Sequence, residues 1–174
     1  MIIWLNGTFG VGKTTTAAAL NEQLPGWRLF DPETVGFMLR GALADHPVSD
    51  FQHWPPWRRL VVDTALALAD YTGDDLIVSQ TILIEDYADE IFGGLRAAGQ
   101  DILHVLLDAT DPALRRRIES SAEARGWRLD HLERYASSRA SLRARADLIV
   151  DTDSRTPDAV AAEIGPVVQG VRSA

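Results

Sequence analysis

Eight residues near the start of the chain carry the clearest chemistry in it. Gly7-Thr8-Phe9-Gly10-Val11-Gly12-Lys13-Thr14 matches G-x-x-x-x-G-K-[ST] in full, the spacing of a phosphate-binding loop. Glycines let the backbone turn tightly and approach phosphate oxygens with no side chain in the way. Successive amides at Gly10, Val11, Gly12, Lys13, Thr14 and Thr15 then form an anion nest, and the helix starting near Lys13 adds its positive end. Lys13 is expected to reach the outer phosphates, and the Thr14 hydroxyl to ligate Mg²⁺. A second candidate is Asp31, at the end of an apolar run and before Pro32. It can accept a proton from an acceptor hydroxyl or join the magnesium shell, and it can equally cap a helix. Glu33 reads as a surface carboxylate complementing the helix dipole.

The elements that position these groups alternate strand and helix, which predicts an α/β fold with a parallel sheet covered on both faces. Ile2 to Leu5 is a short apolar strand, Lys13 to Leu24 a helix stopped by Pro25-Gly26, and Trp27 to Phe30 a second strand. A helix from Asp31 to about Leu43 precedes a loop over 44 to 56 that contains Pro55-Pro56. The helix from Trp57 to Tyr71 shows Val61, Ala65 and Leu68 on one face. Leu76 to Gln80 is the third strand, and Tyr87, Ile91, Leu95 and Ala98 mark the next helix. Ile102 to Leu107 is the fourth strand. Asp111-Pro112 opens a helix through Leu114, Ile118 and Ala122, with Asp111 as its cap. Arg125-Gly126 interrupts, a further helix runs to about Arg143, Leu148 to Val150 is the fifth strand, and Thr156-Pro157 opens the last helix.

The 174 residues suit one domain, 1–174, with no repeat or linker. A net charge of −8 argues against duplex nucleic acid as a partner, which needs many cations against phosphates. With no cysteine, thiolate metal sites and cysteine nucleophiles are excluded. His46, His53, His104 and His131 lack ligand spacing, and His104 reads as a core position in its strand. No targeting segment or run of about 20 apolar residues is seen, so a cytoplasmic, soluble protein is expected.

The opening Met1 to Thr14 resembles the tunicamycin-resistance protein family. So do Phe30-Asp31-Pro32-Glu33 through Gly36-Phe37-Met38-Leu39-Arg40, and Asp50-Phe51-Gln52 through Trp57-Arg58. Order and spacing persist to Asp151-Thr152-Asp153. The resemblance implies an ATP-binding protein that protects its host from tunicamycin, a nucleoside antibiotic with sugars and a fatty acyl chain. More distantly the layout is similar to nucleoside-monophosphate, shikimate and chloramphenicol kinases. These imply a five-stranded parallel sheet and a mobile helical lid, at about 112–135.

Within that layout, Arg40 lies near the end of the helix covering the acceptor side, where it either binds acceptor or balances the helix dipole. Trp54 and Trp57, braced by the proline pair and flanked by Arg58, form either a flat wall for a base or sugar ring or ordinary packing. Ser79-Gln80-Thr81 ends the third strand where many such kinases carry an Asp, and Gln80 is expected to read an acceptor amide or hydroxyl. Arg117 is the expected adenine-stacking residue of the lid helix. Ser121 stands where a second lid arginine is common, leaving Arg125, Arg128 or Arg134 to replace it; Arg134 is placed to stabilise charge on the transferring phosphoryl. Asp153 follows the last strand, where these kinases receive the adenine edge. The reading is an ATP- and magnesium-dependent phosphotransferase for a small hydroxylated acceptor. Its rivals are an ATP-dependent binding module that sequesters the antibiotic, and a metabolite kinase.

Overall fold

The computed structural model describes residues 1–120 and 125–172. Five strands, β1 (Ile2–Asn6), β2 (Trp27–Phe30), β3 (Asp75–Ser79), β4 (Ile102–Asp108) and β5 (Leu148–Asp151), form one parallel sheet in the order β2-β3-β1-β4-β5. Register is fixed by the central strand: Leu5 lies opposite Ser79 on one side and Val105 on the other. Both sheet faces are covered, so central strands are apolar without alternation; every residue of β1 is buried.

The helices are α1 (Lys13–Gln23), α2 (Glu33–Ala42), α3 (Pro55–Thr72), α4 (Glu85–Ala97), α5 (Asp111–Glu119), α6 (Arg125–Arg145) and α7 (Pro157–Arg172). Leu20 of α1, Leu114 of α5, Leu142 of α6 and Ile164 of α7 share one core with Ile3, Leu5 and Val105. Leu39 of α2, Trp57 and Val61 of α3 and Ile91 of α4 share the other with Ile2, Trp4 and Val78. This is the architecture that the sequence predicts.

Three local expectations are corrected. The proline pair opens α3 instead of lying in the preceding loop; fixed φ and a missing N–H cost nothing in a first helical turn. Asp111 does not cap α5, because Thr110 occupies that position and Asp111 turns to Arg139 (3.1 Å). The helix begun at Asp111 closes at Glu119, and Ala122 lies outside the described residues.

Two buried polar residues not singled out by sequence hold the sheet's carboxyl end together. Asn6 accepts from the Gly7 amide (2.8 Å) and the Ile82 amide (2.9 Å) and donates to the Ile82 carbonyl (2.9 Å). Its amide also meets His104 Nε2 at 3.3 Å, while His104 Nδ1 lies 3.2 Å from the Arg145 carbonyl. Those contacts suit a neutral ring with the proton on Nδ1, and burial lowers the His104 pKa in keeping with that.

At the end of β4, Asp108 accepts from the Tyr135 hydroxyl (2.6 Å), from Arg139 (2.7 Å) and from Arg143 (2.7 Å). Burial alone would raise this carboxyl's pKa, but the hydrogen bonds from Arg139, Tyr135 and Arg143 outweigh it and the net shift is downward. All three donors lie on α6, so one carboxylate moors that helix to the sheet. A depressed carboxylate contributes stability that is complete above its unfolded pKa and lost as pH falls through the folded value. Asp108→Ala should therefore cost on the order of 2 kcal/mol at pH 7, since it strands the buried Tyr135 hydroxyl and frees two partly exposed arginines. The gap to wild type in chemical denaturation should close as pH falls below about 4.

Candidate functional site

The loop between β1 and α1 has the conformation that its glycines require. Gly7, Gly10 and Gly12 have φ values of 135°, 78° and 99°. A Cβ on Gly7 would stand 2.4 Å from the Leu107 carbonyl, so the loop packs on the backbone of the neighbouring strand β4. Helix α1 starts with no side-chain cap and no acid in its first turn. Its leading amides are thus left for an anion, and polyphosphate fits the residues present.

Lys13 bridges the loop, donating to the Gly7 and Thr8 carbonyls (3.0 Å each). Its enclosed ammonium is poorly solvated, which lowers its pKa to about 8; Glu33 opposes that shift and Arg128 adds to it. Thr14 is exposed into the cavity, whereas Thr15 donates to the Gly12 carbonyl (2.9 Å). Thr8 is fully buried, and its hydroxyl oxygen has no hydrogen-bond partner.

The loop opens onto a cavity of about 1310 Å³ that runs beneath α2, along residues 47–54, past the end of β3 and up to α6. Asp31, Arg40, Trp54, Gln80 and Arg134 all line it. Asp31 accepts from the Glu33 amide (2.9 Å), so it caps the entry to α2 while its carboxylate stays exposed. Gln80 is 8% exposed and donates to the Thr81 carbonyl (3.3 Å), but its Oε1 is unpaired. A buried acceptor left empty is costly unless a ligand donor fills it.

Other placements differ from expectation. Trp57 is fully buried, with Nε1 donating to the Pro32 carbonyl (3.1 Å), and does not line this cavity. Its position on the inward face of α3 decides that. Arg58 is also structural: it pairs with Glu90 (2.5 Å), donates to the Gln52 carbonyl (2.5 Å) and lies over the Tyr87 ring. Glu33 is more than a surface carboxylate. It lines the cavity, and partial desolvation together with Asp31 raises its pKa against the pull of Lys13.

Arg117 does not line the cavity; it donates to the Gly10 carbonyl (3.2 Å) and to the Thr152 hydroxyl (3.0 Å) and carbonyl (2.6 Å). The Asp153 carboxylate is engaged by the Thr110 amide at 3.2 Å. Ser121 lies outside the described residues, as does the Arg125 side chain.

Sequence reading missed His131, Phe37 and Phe51. On α6, Arg128, His131, Arg134 and Ser138 face the cavity at helical spacing, a periodicity that could have flagged His131. Its ring meets Phe9 of the loop edge-on at 5.4 Å. Phe37 meets Phe51 at 5.4 Å and Phe51 stacks near Trp54 at 6.0 Å. Phe51 packs directly on the backbone of α2, because Gly36 offers no Cβ there; one would fall 2.2 Å from the Phe51 ring.

A family model described as an AAA domain matches residues 2–142. The tunicamycin resistance protein of Deinococcus radiodurans superposes with a TM-score of 0.75 at 30% identity, over 96% of this chain and 94% of that one. The chain belongs to the tunicamycin-resistance family of AAA-domain P-loop proteins. Its kinase-like fold recurs in a sugar kinase from Janibacter sp. HTCC2649 (TM-score 0.65, 21% identity, 94% and 91% coverage). It recurs too in the Mycobacterium tuberculosis APS kinase CysC, solved with AMPPNP and APS (0.67, 19%, 97% and 96%). In sequence the family member is 28% identical to the nucleotide-binding protein jk1004 of Corynebacterium jeikeium, over 89% of this chain and 48% of that one. It spans about half the length of that curated relative. Among the described residues no helix is long and apolar enough to cross a membrane.

A lysine that titrates near pH 8 should link phosphate binding to protons, because polyphosphate favours its charged form. Calorimetry with tripolyphosphate at pH 8.5, in buffers of different ionisation enthalpy, should show net proton uptake. Affinity should weaken from pH 8 towards pH 10. Lys13→Met should lose both the uptake and most of the affinity while keeping the thermal midpoint.

Proposed function

We propose that the protein is an ATP- and Mg²⁺-dependent phosphotransferase acting on a small hydroxylated molecule, foremost a tunicamycin-like nucleoside antibiotic, and that transfer confers resistance. One observation carries the proposal: the uncapped loop with Lys13 opens on the same cavity as the exposed Asp31 carboxylate and the unpaired Gln80 oxygen. A phosphoryl donor and a hydroxylated acceptor can thus share one space. The family relation to a tunicamycin resistance protein supports the choice of acceptor.

In this reading Gly7, Thr8, Gly10, Val11, Gly12, Lys13, Thr14 and Thr15 hold the phosphates. Arg117, its polar edge fixed by Gly10 and Thr152, lies against adenine beside the Asp153 backbone. Magnesium would be held by the Thr14 hydroxyl and phosphate oxygens, with Asp31 within the same cavity, and would neutralise charge on the transferring group. Gln80, Arg40 and Trp54 orient the acceptor; Asp31 takes the proton from its hydroxyl; Arg134 stabilises the charge that develops on the phosphoryl oxygens. Most of the rate would come from positioning and charge compensation. Residues about 112–135 act as the lid of a single domain that works in the cytoplasm.

Sequestration without transfer is the second reading. It draws on the end of β3, where Thr81 donates to the Gly7 carbonyl (2.7 Å) and no carboxylate stands.

Asp31→Asn separates the two, since Asn caps a helix about as well as Asp. The thermal midpoint should shift by less than the equivalent of about 1 kcal/mol, and the ATP dissociation constant should hold. Transfer to the antibiotic, read by mass spectrometry, should fall about 10²- to 10⁴-fold. Unmodified antibiotic after incubation of wild type with ATP would overturn the kinase reading. Resistance that persists in the transfer-dead variant would favour sequestration.

A further inference from the structure

Between Gly7 and Gly12 the phosphate loop carries Thr8, Phe9 and Val11 beside Gly10, and the three side chains are not used alike. Thr8 and Val11 are buried, whereas Phe9 is half-buried and lines the cavity. An apolar ring has nothing to offer a phosphate directly. What the ring meets is positive charge.

The Lys13 ammonium lies 5.5 Å from the centre of the Phe9 ring, and the Arg128 guanidinium carbon 5.7 Å from it. Both distances fall within the range of a cation–π attraction. His131, one helical turn after Arg128, meets the same ring edge-on at 5.4 Å. A single side chain of the loop thus ties it to two residues of α6. Gathering two cations at one ring is unfavourable in itself: Arg128 adds to the lowering of the Lys13 pKa, and Glu33 feels the charge of both. The arrangement becomes favourable when a dense anion joins them, and polyphosphate is the anion that the uncapped α1 amides suit.

A ring is also a chemically apt anchor for this arginine. It attracts a guanidinium through its face and does not itself consume the in-plane N–H donors, as a carboxylate at the same position would. The guanidinium edge is then the part that forms paired bonds to phosphate oxygens.

We propose that Phe9 is a positioning residue of the donor site: its ring holds the Arg128 guanidinium beside Lys13, so that the loop and α6 grip the outer phosphates together. This rests on reading the loop as the donor-phosphate site and adds a second cation to that site. The hold is made within the chain, before any ligand arrives, so it lowers the cost of ordering α6 over the phosphates. Arg134, further along α6, is left to the transferring group.

The test is calorimetric titration of the full chain with tripolyphosphate, without nucleotide or acceptor. Phe9→Leu keeps an apolar side chain, and Arg128→Met keeps the stem without the charge, so both should fold. Phe9→Leu should weaken tripolyphosphate binding about three- to tenfold, and Arg128→Met at least as much. Phe9→Tyr retains the ring and should bind as wild type does. In the Arg128→Met background, Phe9→Leu should cost less than about a further twofold, because the ring then has no guanidinium to hold. Unchanged affinity in Phe9→Leu, or the same loss whether or not Arg128 is present, would overturn the proposal. So would a loss in Phe9→Tyr as large as that in Phe9→Leu, since the ring would then be packing alone. A wild type that binds no tripolyphosphate would remove the donor-site reading and this inference with it. The expected affinities alongside an unmodified antibiotic would support this inference and remove the kinase reading alone.

Discussion

The Asn6 carboxamide sits buried where the ends of β1 and β3 meet. Its oxygen is shared by the Gly7 and Ile82 amides, and its nitrogen returns a bond to the Ile82 carbonyl. Thr81 completes the junction by donating to Gly7. Buried amides left unpaired are costly, so the start of the phosphate loop and the turn after β3 hold each other in place. Everything that faces the cavity from β1 and β3 inherits its position from this junction. His104 extends it across the sheet to the last turn of α6.

Charge organises the upper half of the molecule in a different way. Helix α6 carries arginines on two faces: Arg139 and Arg143 point down to Asp108, while Arg128 and Arg134 line the cavity. Near its end, Arg145 and Ser141 meet Asp89 and Glu85 of α4. The helix is thus moored along its second half, and its first half is the part presented to Asp31, Glu33 and Asp50 across the cavity. Ion pairs at the moorings are partly screened by solvent, and even at the buried Asp108 carboxylate the arginine partners are partly exposed.

The phosphate loop, the five strands and most helix positions were legible in the sequence, because each rests on a local signal: glycine spacing, continuous apolar runs, helical periodicity. That Asp31 and Gln80 stand near the phosphate loop was legible because parallel sheets place strand ends at one edge. What was not legible depends on rotation about a helix axis or on tertiary partners. Trp57 and Trp54 are three residues apart and both join the same core, but only Trp54, which precedes the first turn of α3, also reaches the cavity. Arg58 looked like a ligand cation until Glu90, far along the chain, neutralised it. Asp108 and Asn6 carry no sequence motif at all; their importance arises from burial.

The contact between Gly36 and Phe51 has a consequence for how such a chain can change over time. The ring occupies the volume that a methyl group at position 36 would need, so the two positions are not independent. Alanine at 36 is tolerable only alongside a smaller residue at 51, and that exchange dismantles the aromatic row. Sequence drift at these two sites should therefore be correlated, and lineages that break the pair should differ in what their cavities admit.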